Sequence, residues 1–200
     1  MTISEADIRR RLAAFQSRPP VDPYPPEALR GHPRPAGVLI PLLRERGEWR
    51  LLFIHRAVND HDPHSGQVAF PGGQQESGDP TAVAAALREA EEELGLPAEA
   101  VSVLGVLPLH RTITNFWITP VVGRIPWPFE LRLSAAEVTR AFTVPLTWLS
   151  DPAHRETRTR RLGAGLPVMQ MIFFQPYEGE IVWGATARMV MTLLQALGQV

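Results

Sequence analysis

The stretch ALREAEEELGL, residues 86–96, sets four glutamates into five positions of a segment that otherwise reads as helix. At about 100° per residue, Glu89, Glu92 and Glu93 fall within roughly 100° of one another, whereas Glu91 points away. Like charges three and four residues apart destabilise a helix by about 0.2–0.5 kcal/mol per pair. No arginine stands four residues C-terminal to any of these glutamates to offset that. A solvated acidic face is the ordinary reading of such a run. A hard divalent cation is the alternative, since Mg²⁺ is held by a few carboxylate oxygens with water and substrate phosphates filling its remaining positions.

Several residues must position these side chains. Asp79 before Pro80 predicts an N-cap with proline in the first turn, and Gly95 and Pro97 predict the stop, so the helix is expected over 80–94. Val83, Leu87, Ala90 and Leu94 make the narrow apolar stripe that faces a core. Just upstream, FPGG at residues 70–73 follows an apolar run and opens a loop. Paired glycines permit close approach of a ligand, and a backbone carbonyl there would add an oxygen to a cation site.

The rest of the chain limits what such a site can be. Two hundred residues with 44% hydrophobic content suffice for one sizeable core. The absence of cysteine excludes thiol nucleophiles and thiolate metal sites, leaving oxygen or imidazole as ligands. A net charge of −1 points to neither nucleic acid nor an anionic membrane as partner. The N-terminal residues lack the apolar stretch of a signal peptide and no segment approaches 18 uninterrupted apolar residues, so a soluble, cytoplasmic protein is expected.

Ile8, Leu12 and Phe15 predict a short amphipathic helix, with Ser4 and Asp7 as its capping box. Seven prolines within residues 18–35 then predict an extended connector that wraps the surface. Residues 1–36 are read as this helix and connector packed on a domain formed by 37–200. In that domain GVLIPLL, EWRLLFIHRA, QVAF, VSVLGVLPL, FWITPVVGRI, FTVPLTWL and VMQMIFFQ are of strand length and composition. Two helical segments interrupt them, the glutamate helix and TARMVMTLLQAL, whose Met189, Leu193 and Leu197 share a face. The irregular alternation predicts a mixed sheet between helices.

Gly72 and Gly73 followed by Arg88, Glu89, Glu92, Glu93, Gly95 and Leu96 resemble the Nudix box, G, five residues, E, seven residues, R-E-U-x-E-E-x-G-U with U aliphatic. The last nine positions match. The loop is one residue longer here, so Asp79 or Glu76 must stand for the early glutamate. The preceding stretch, residues 51–73, is similar to the motif that precedes the box in the coenzyme A diphosphatase subfamily. In it Arg56 and Ala57 stand for an R-S pair, Gly66 for a glycine, and FPGG is shared. VLPLHRTITNFWITPVVG and EIVWGATARMV are similar to this subfamily as well, so the resemblance spans roughly residues 35–197.

The resemblance implies a Nudix-type α/β/α sandwich with a mixed β-sheet. It also implies hydrolysis of the diphosphate of coenzyme A or its thioesters to 3',5'-ADP and a 4'-phosphopantetheine product. Carried over by position, Glu89, Glu92 and Glu93 would hold Mg²⁺ or Mn²⁺, with the Gly73 carbonyl as a further ligand and Arg88 orienting the glutamates. Such ions neutralise an anionic diphosphate and lower the pKa of a bound water. Glu92 is favoured as general base, with Glu130 and Glu137 as alternatives. Arg56, Ser65, Gly66 and Phe70 are the substrate-contact candidates, because an arginine fork suits phosphate and the loop can donate to anionic oxygens.

His55, His61 and His64 read as surface histidines. Phe116 and Trp117 could stack on adenine or simply pack, and Trp183 reads as core. A different nucleotide substrate, such as ADP-ribose, NADH or a nucleoside triphosphate, is the main alternative, and a non-catalytic ligand sensor is a third. A homodimer is left open.

Overall fold

The computed structural model describes residues 3–29, 31–58, 66–161 and 168–200. Along the chain these form α1 (Glu5–Phe15), β1 (Arg34–Glu45), β2 (Glu48–Arg56), β3 (Val68–Ala69), β4 (Gly72–Gln74) and α2 (Ala82–Leu94). There follow β5 (Ser102–Val106), β6 (His110–Arg111), β7 (Phe116–Arg124), β8 (Val138–Pro145), α3 (Leu146–Ser150), β9 (Arg155–Arg161), β10 (Val168–Phe174) and α4 (Gly184–Ala196). The main sheet runs β3-β2-β1-β7-β5, with β8 also on β2, β4 on β1 and β6 on β7. It is mixed because β1 is antiparallel to β2 and β4 but parallel to β7.

The side-chain period of two explains the layers. Val38, Ile40, Leu42, Leu51 and Phe53 point to the face covered by Ile8 and Leu12 of α1 and Val190, Leu193 and Leu194 of α4. Leu39, Leu43, Leu52 and Ile54 point to the other face, against Ala86, Ala90 and Leu94 of α2. With both faces covered, β1 and β2 read as near-continuous apolar runs. The result is the expected α/β/α sandwich.

Helix α2 lies very close to β1. A Cβ built on Gly37 would stand 1.9 Å from the Ala82 carbonyl oxygen and 2.7 Å from the Ala86 nitrogen, so only glycine permits this contact. The start of α2 is thereby fixed relative to β4, whose Gly73 pairs with Gly37.

Two local expectations are corrected, and one strand falls in a segment for which no element was expected. Helix α2 is capped by Thr81, whose hydroxyl accepts from the Ala84 N–H at 3.1 Å, so the helix begins at Ala82 rather than at Pro80. Asp79 uses its carboxylate elsewhere, as described below. The run FTVPLTWL divides at Pro145, where β8 ends and α3 begins, because an apolar run of this length does not distinguish strand from helix. The sequence RETRTRR forms β9, a strand without an apolar face, paired antiparallel with β10 in a separate hairpin.

The capping box of Ser4 and Asp7 is present, and Ile8, Leu12 and Phe15 are buried. The proline-rich segment is tied to the domain where the Val21 N–H donates to the Leu109 carbonyl at 2.7 Å and Val21 O accepts from the Arg111 N–H at 2.9 Å. No helix among the described residues is long and apolar enough to cross a membrane.

Candidate active site

Helix α2 carries its carboxylates into three different environments. The Glu93 side chain is only 3% exposed. Its Oε2 accepts from the Gly72 N–H at 3.0 Å and its Oε1 lies 3.6 Å from Arg56 Nη1. Burial outweighs both contacts and pushes this carboxyl up to about 8. Glu89, 16% exposed, lies 2.9 Å from Arg88 Nη2 and is also raised, chiefly by burial. Glu92 is 55% exposed and its Oε2 accepts from Arg88 Nη1 at 2.9 Å. Glu91 is exposed, as its phase predicts.

Among the described residues no three His, Asp or Glu side chains converge as a ready-made cation cage. The structure brings Glu89 and Glu93 together at the glycine loop, while Glu92 is drawn outward by Arg88. Helical phase contains part of this. Glu93 follows the buried Ala86 by seven residues and Ala90 by three, so it stands at the edge of the core face. Arg88 precedes Glu92 by four, a pairing missed by looking only C-terminal to each glutamate.

Arg88 joins the helix to the loop. Its Nε donates to Asp79 Oδ1 at 3.1 Å and its Nη2 to Asp79 Oδ2 at 3.1 Å, while Nη2 also donates to the Gln74 carbonyl at 3.2 Å. This fork holds Asp79 below the usual carboxylate range, and Asp79 and Glu89 hold Arg88 more firmly protonated. Of the two candidates for the early carboxylate of the box, Asp79 is the one at Arg88. Glu76 is exposed and donates its N–H to Asp79 Oδ2 at 2.9 Å.

The donor set suits a hard cation. Glu89 and Glu93 each resist ionisation, chiefly through burial, and the Glu89 charge further raises the Glu93 carboxyl, which is the electrostatic setting a divalent ion relieves. Gly73 lies against Glu89, for a Cβ there would stand 2.4 Å from Glu89 Oε1, and the adjacent Gly72 N–H donates to Glu93. An all-oxygen set of two carboxylates and the Gly73 carbonyl fits Mg²⁺ or Mn²⁺, which keep several waters.

A cleft of about 530 Å³ opens beside the pair, within the usual range for a small-molecule site. Arg56, Gly72 and Gly73 line one end. Phe70 contributes to the cleft floor but is 2% exposed and stacked on Phe53 at 4.6 Å, so its ring serves mainly as core. Gly66 does not line the cleft; its carbonyl lies 3.0 Å from His55 Nε2. Ser65, His61 and His64 lie outside the described residues.

Trp183, expected in the core, is half-buried, stacked on Phe173 at 5.4 Å, and lines the cleft. Phe116 lines it too, with the Arg34 guanidinium 4.1 Å over its ring, whereas Trp117 faces Arg111 and does not. Tyr24, from the proline-rich segment, is a lining residue for which the sequence carried no signal. Glu130 and Glu137 are exposed, and the charge of Glu137 contributes to raising both Glu89 and Glu93.

A three-layer fold that buries a carboxylate pair behind a glycine loop, at one end of a nucleotide-sized cleft, is a scaffold for metal-assisted hydrolysis of an anionic substrate. The sequence pattern of the NUDIX domain matches residues 33–162. The chain is 41% identical over 166 residues to the uncharacterized Nudix hydrolase NudL of Salmonella newport and to that of Salmonella dublin, covering 82% of this chain and 83% of each relative. Among solved structures it is similar to a C. elegans Ap4A hydrolase binary complex, at 18% identity and TM-score 0.47, over 56% of this chain and 80% of that one. It is also similar to a MutT/nudix family protein from Enterococcus faecalis, at 15% identity and TM-score 0.48, over 99% and 81%.

The chain belongs to the Nudix family. It is a Nudix hydrolase, acting on the phosphoric anhydride of nucleoside diphosphate derivatives; enzymes of this family generally use divalent ions, typically Mg²⁺ or Mn²⁺.

Proposed function

We propose that this Nudix hydrolase cleaves the diphosphate of coenzyme A or its thioesters, with Mg²⁺ or Mn²⁺ held by Glu89, Glu93 and the Gly73 carbonyl. The observation that carries this is the meeting of two motif segments on one carboxylate. Arg56, from the strand that resembles the coenzyme A diphosphatase motif, and Gly72, from FPGG, contact the two oxygens of Glu93 at 3.6 and 3.0 Å.

When bound, the ion neutralises diphosphate oxygens and makes water a better nucleophile near neutral pH. The chain's own groups do the rest. Arg56 lies at the cleft end beside the carboxylates, where its fork can bind a phosphate oxygen. Arg88 fixes Glu89 and Glu92 in orientation. Glu92, 55% exposed and bonded to Arg88 through Oε2, would serve as the proton acceptor for the attacking water. Water adds to one phosphorus, the bridging P–O bond breaks, and the products are 3',5'-ADP, the 4'-phosphopantetheine portion and the released proton.

The second reading, a diphosphatase for another nucleoside derivative, differs only in the leaving group. A product assay with Mg²⁺ or Mn²⁺ across coenzyme A, its thioesters, ADP-ribose and NADH separates the two. Coenzyme A or a thioester is expected to have the highest kcat/KM; equal or better turnover of ADP-ribose or NADH would reject the proposal and keep the family.

A further inference from the structure

Three arginines line the cleft without any carboxylate partner among the described residues. Arg160 and Arg161 come from β9, and Arg188 from α4. The Arg160 guanidinium rests 5.5 Å from the Trp183 ring and no hydrogen bond holds it among those residues. Arg188 Nη2 donates to the Tyr24 hydroxyl at 2.6 Å with the guanidinium 5.1 Å from that ring, yet its Nε is buried and unpartnered. A partly buried cation with an unused donor carries a desolvation cost that an anion would offset. Arg111 also has an unpartnered Nε, but it does not line the cleft.

The backbone adds to this field. Trp183 caps α4 with no side-chain hydrogen bond, and Gly184 and Ala185 of its first turn line the same cleft. Gly184 and Arg188 are four residues apart and share a helix face. The first N–H groups of α4 therefore lie near the Arg188 side of the cleft, with the favourable dipole end toward an anion. At the other end, Arg56 is engaged with Glu93.

Resting on the reading of this cleft as a nucleotide diphosphate site, we propose that Arg160, Arg161 and Arg188 form a second anion subsite. It takes a phosphomonoester that the substrate carries away from its scissile diphosphate. Such a group bears a charge of about −1.5 to −2 at pH 7 and three terminal oxygens, which several guanidinium forks can share and a single carboxylate cannot supply. Arg160 and Arg161 lie at the end of the span that matches the family pattern, whereas Arg188, Tyr24 and Trp183 lie outside it.

The test is calorimetric titration of the full chain in EDTA with 3',5'-ADP, 2',5'-ADP and 5'-AMP. At least one bisphosphate should bind about tenfold or more tightly than 5'-AMP, as one or two charge-assisted hydrogen bonds would give. In R160Q/R161Q, on an exposed hairpin, and in R188Q the ratio should collapse toward one. Equal binding of all three nucleotides by the wild type, or a ratio untouched in both variants, would overturn the proposal. So would an equal loss for bisphosphate and AMP, which would place the arginines at the common phosphate. These outcomes do not depend on which diphosphate is hydrolysed, so a failure of the coenzyme A reading in the substrate panel remains distinguishable.

Discussion

At the residue scale the site turns on how α2 distributes its charges. Arg88 contacts Asp79, Glu89, Glu92 and the Gln74 carbonyl at once. Neither a point charge nor a neutral amide reproduces that fork. Arg88→Lys and Arg88→Gln should each lower kcat/KM by about 10- to 100-fold, the usual cost of losing a group that orients metal ligands, and should raise the Mg²⁺ concentration needed for half-maximal rate. A lysine variant with wild-type Mg²⁺ dependence would mean that Arg88 acts by charge alone. The base is tested by parallel substitution: Glu92→Gln should reduce kcat by about 100-fold or more, and Glu137→Gln by much less. The reverse order in steady-state kinetics would move the role to Glu137, whose charge already reaches the pair.

At the element scale, α2 and the glycine loop form one rigid unit because β1 lets the helix lie directly on its backbone. Gly37→Ala would drive a methyl to within 1.9 Å of the Ala82 carbonyl. The variant should be destabilised by about 1–3 kcal/mol or more in urea unfolding, as for other overpacked sites, and unchanged stability would mean that α2 shifts freely. The helix and its stop at Gly95 were legible from apolar phase and capping residues, whereas Asp79 competes for two roles that look alike in sequence. It has cap chemistry, but the arginine nine residues on claims it and Thr81 takes the cap. β9 was illegible for a different reason: its arginines and threonines carry no buried face, and only pairing with β10 makes it a strand. The acidic face was legible as a unit, but its division was not, since it depends on how close Gly72 and Gly73 come to Glu93 and Glu89.

At the scale of the molecule, two buried groups set opposing pH dependences. His110, bonded to the Pro108 carbonyl and the Thr192 hydroxyl, is pushed down to about 4 chiefly by burial. The unfolded chain thus binds more protons between about 4 and 6.5, and this group's contribution to stability rises with pH across that window and is lost on acidification. Glu93, at about 8 against 4.5 unfolded, binds more protons in the native state, so its contribution falls as pH rises from 4.5 to 8. In EDTA, thermal unfolding should therefore show the two slopes opposing below pH 6.5 and a net loss of stability from 6.5 to 8. Glu93→Gln should abolish that loss and leave the rise below pH 6.5 exposed; an unchanged profile would mean that Glu93 is solvated and ionised in the folded protein. The sandwich itself could be read from strand-length apolar runs interrupted irregularly by two helical segments, but the cleft wall made by Tyr24 and the β9–β10 pair could not, because it joins segments distant in sequence.

The most direct measurement is hydrolysis of coenzyme A by wild type and Glu93→Gln under saturating Mg²⁺, with products separated by chromatography. The wild type should release 3',5'-ADP and 4'-phosphopantetheine in equal amounts, and the variant, while remaining folded, should turn over about 100-fold or more slowly, a loss of the size seen when one essential charge-stabilising group is removed. Hydrolysis by the variant at the wild-type rate would contradict the assignment of the Glu89 and Glu93 pair as the centre of the reaction.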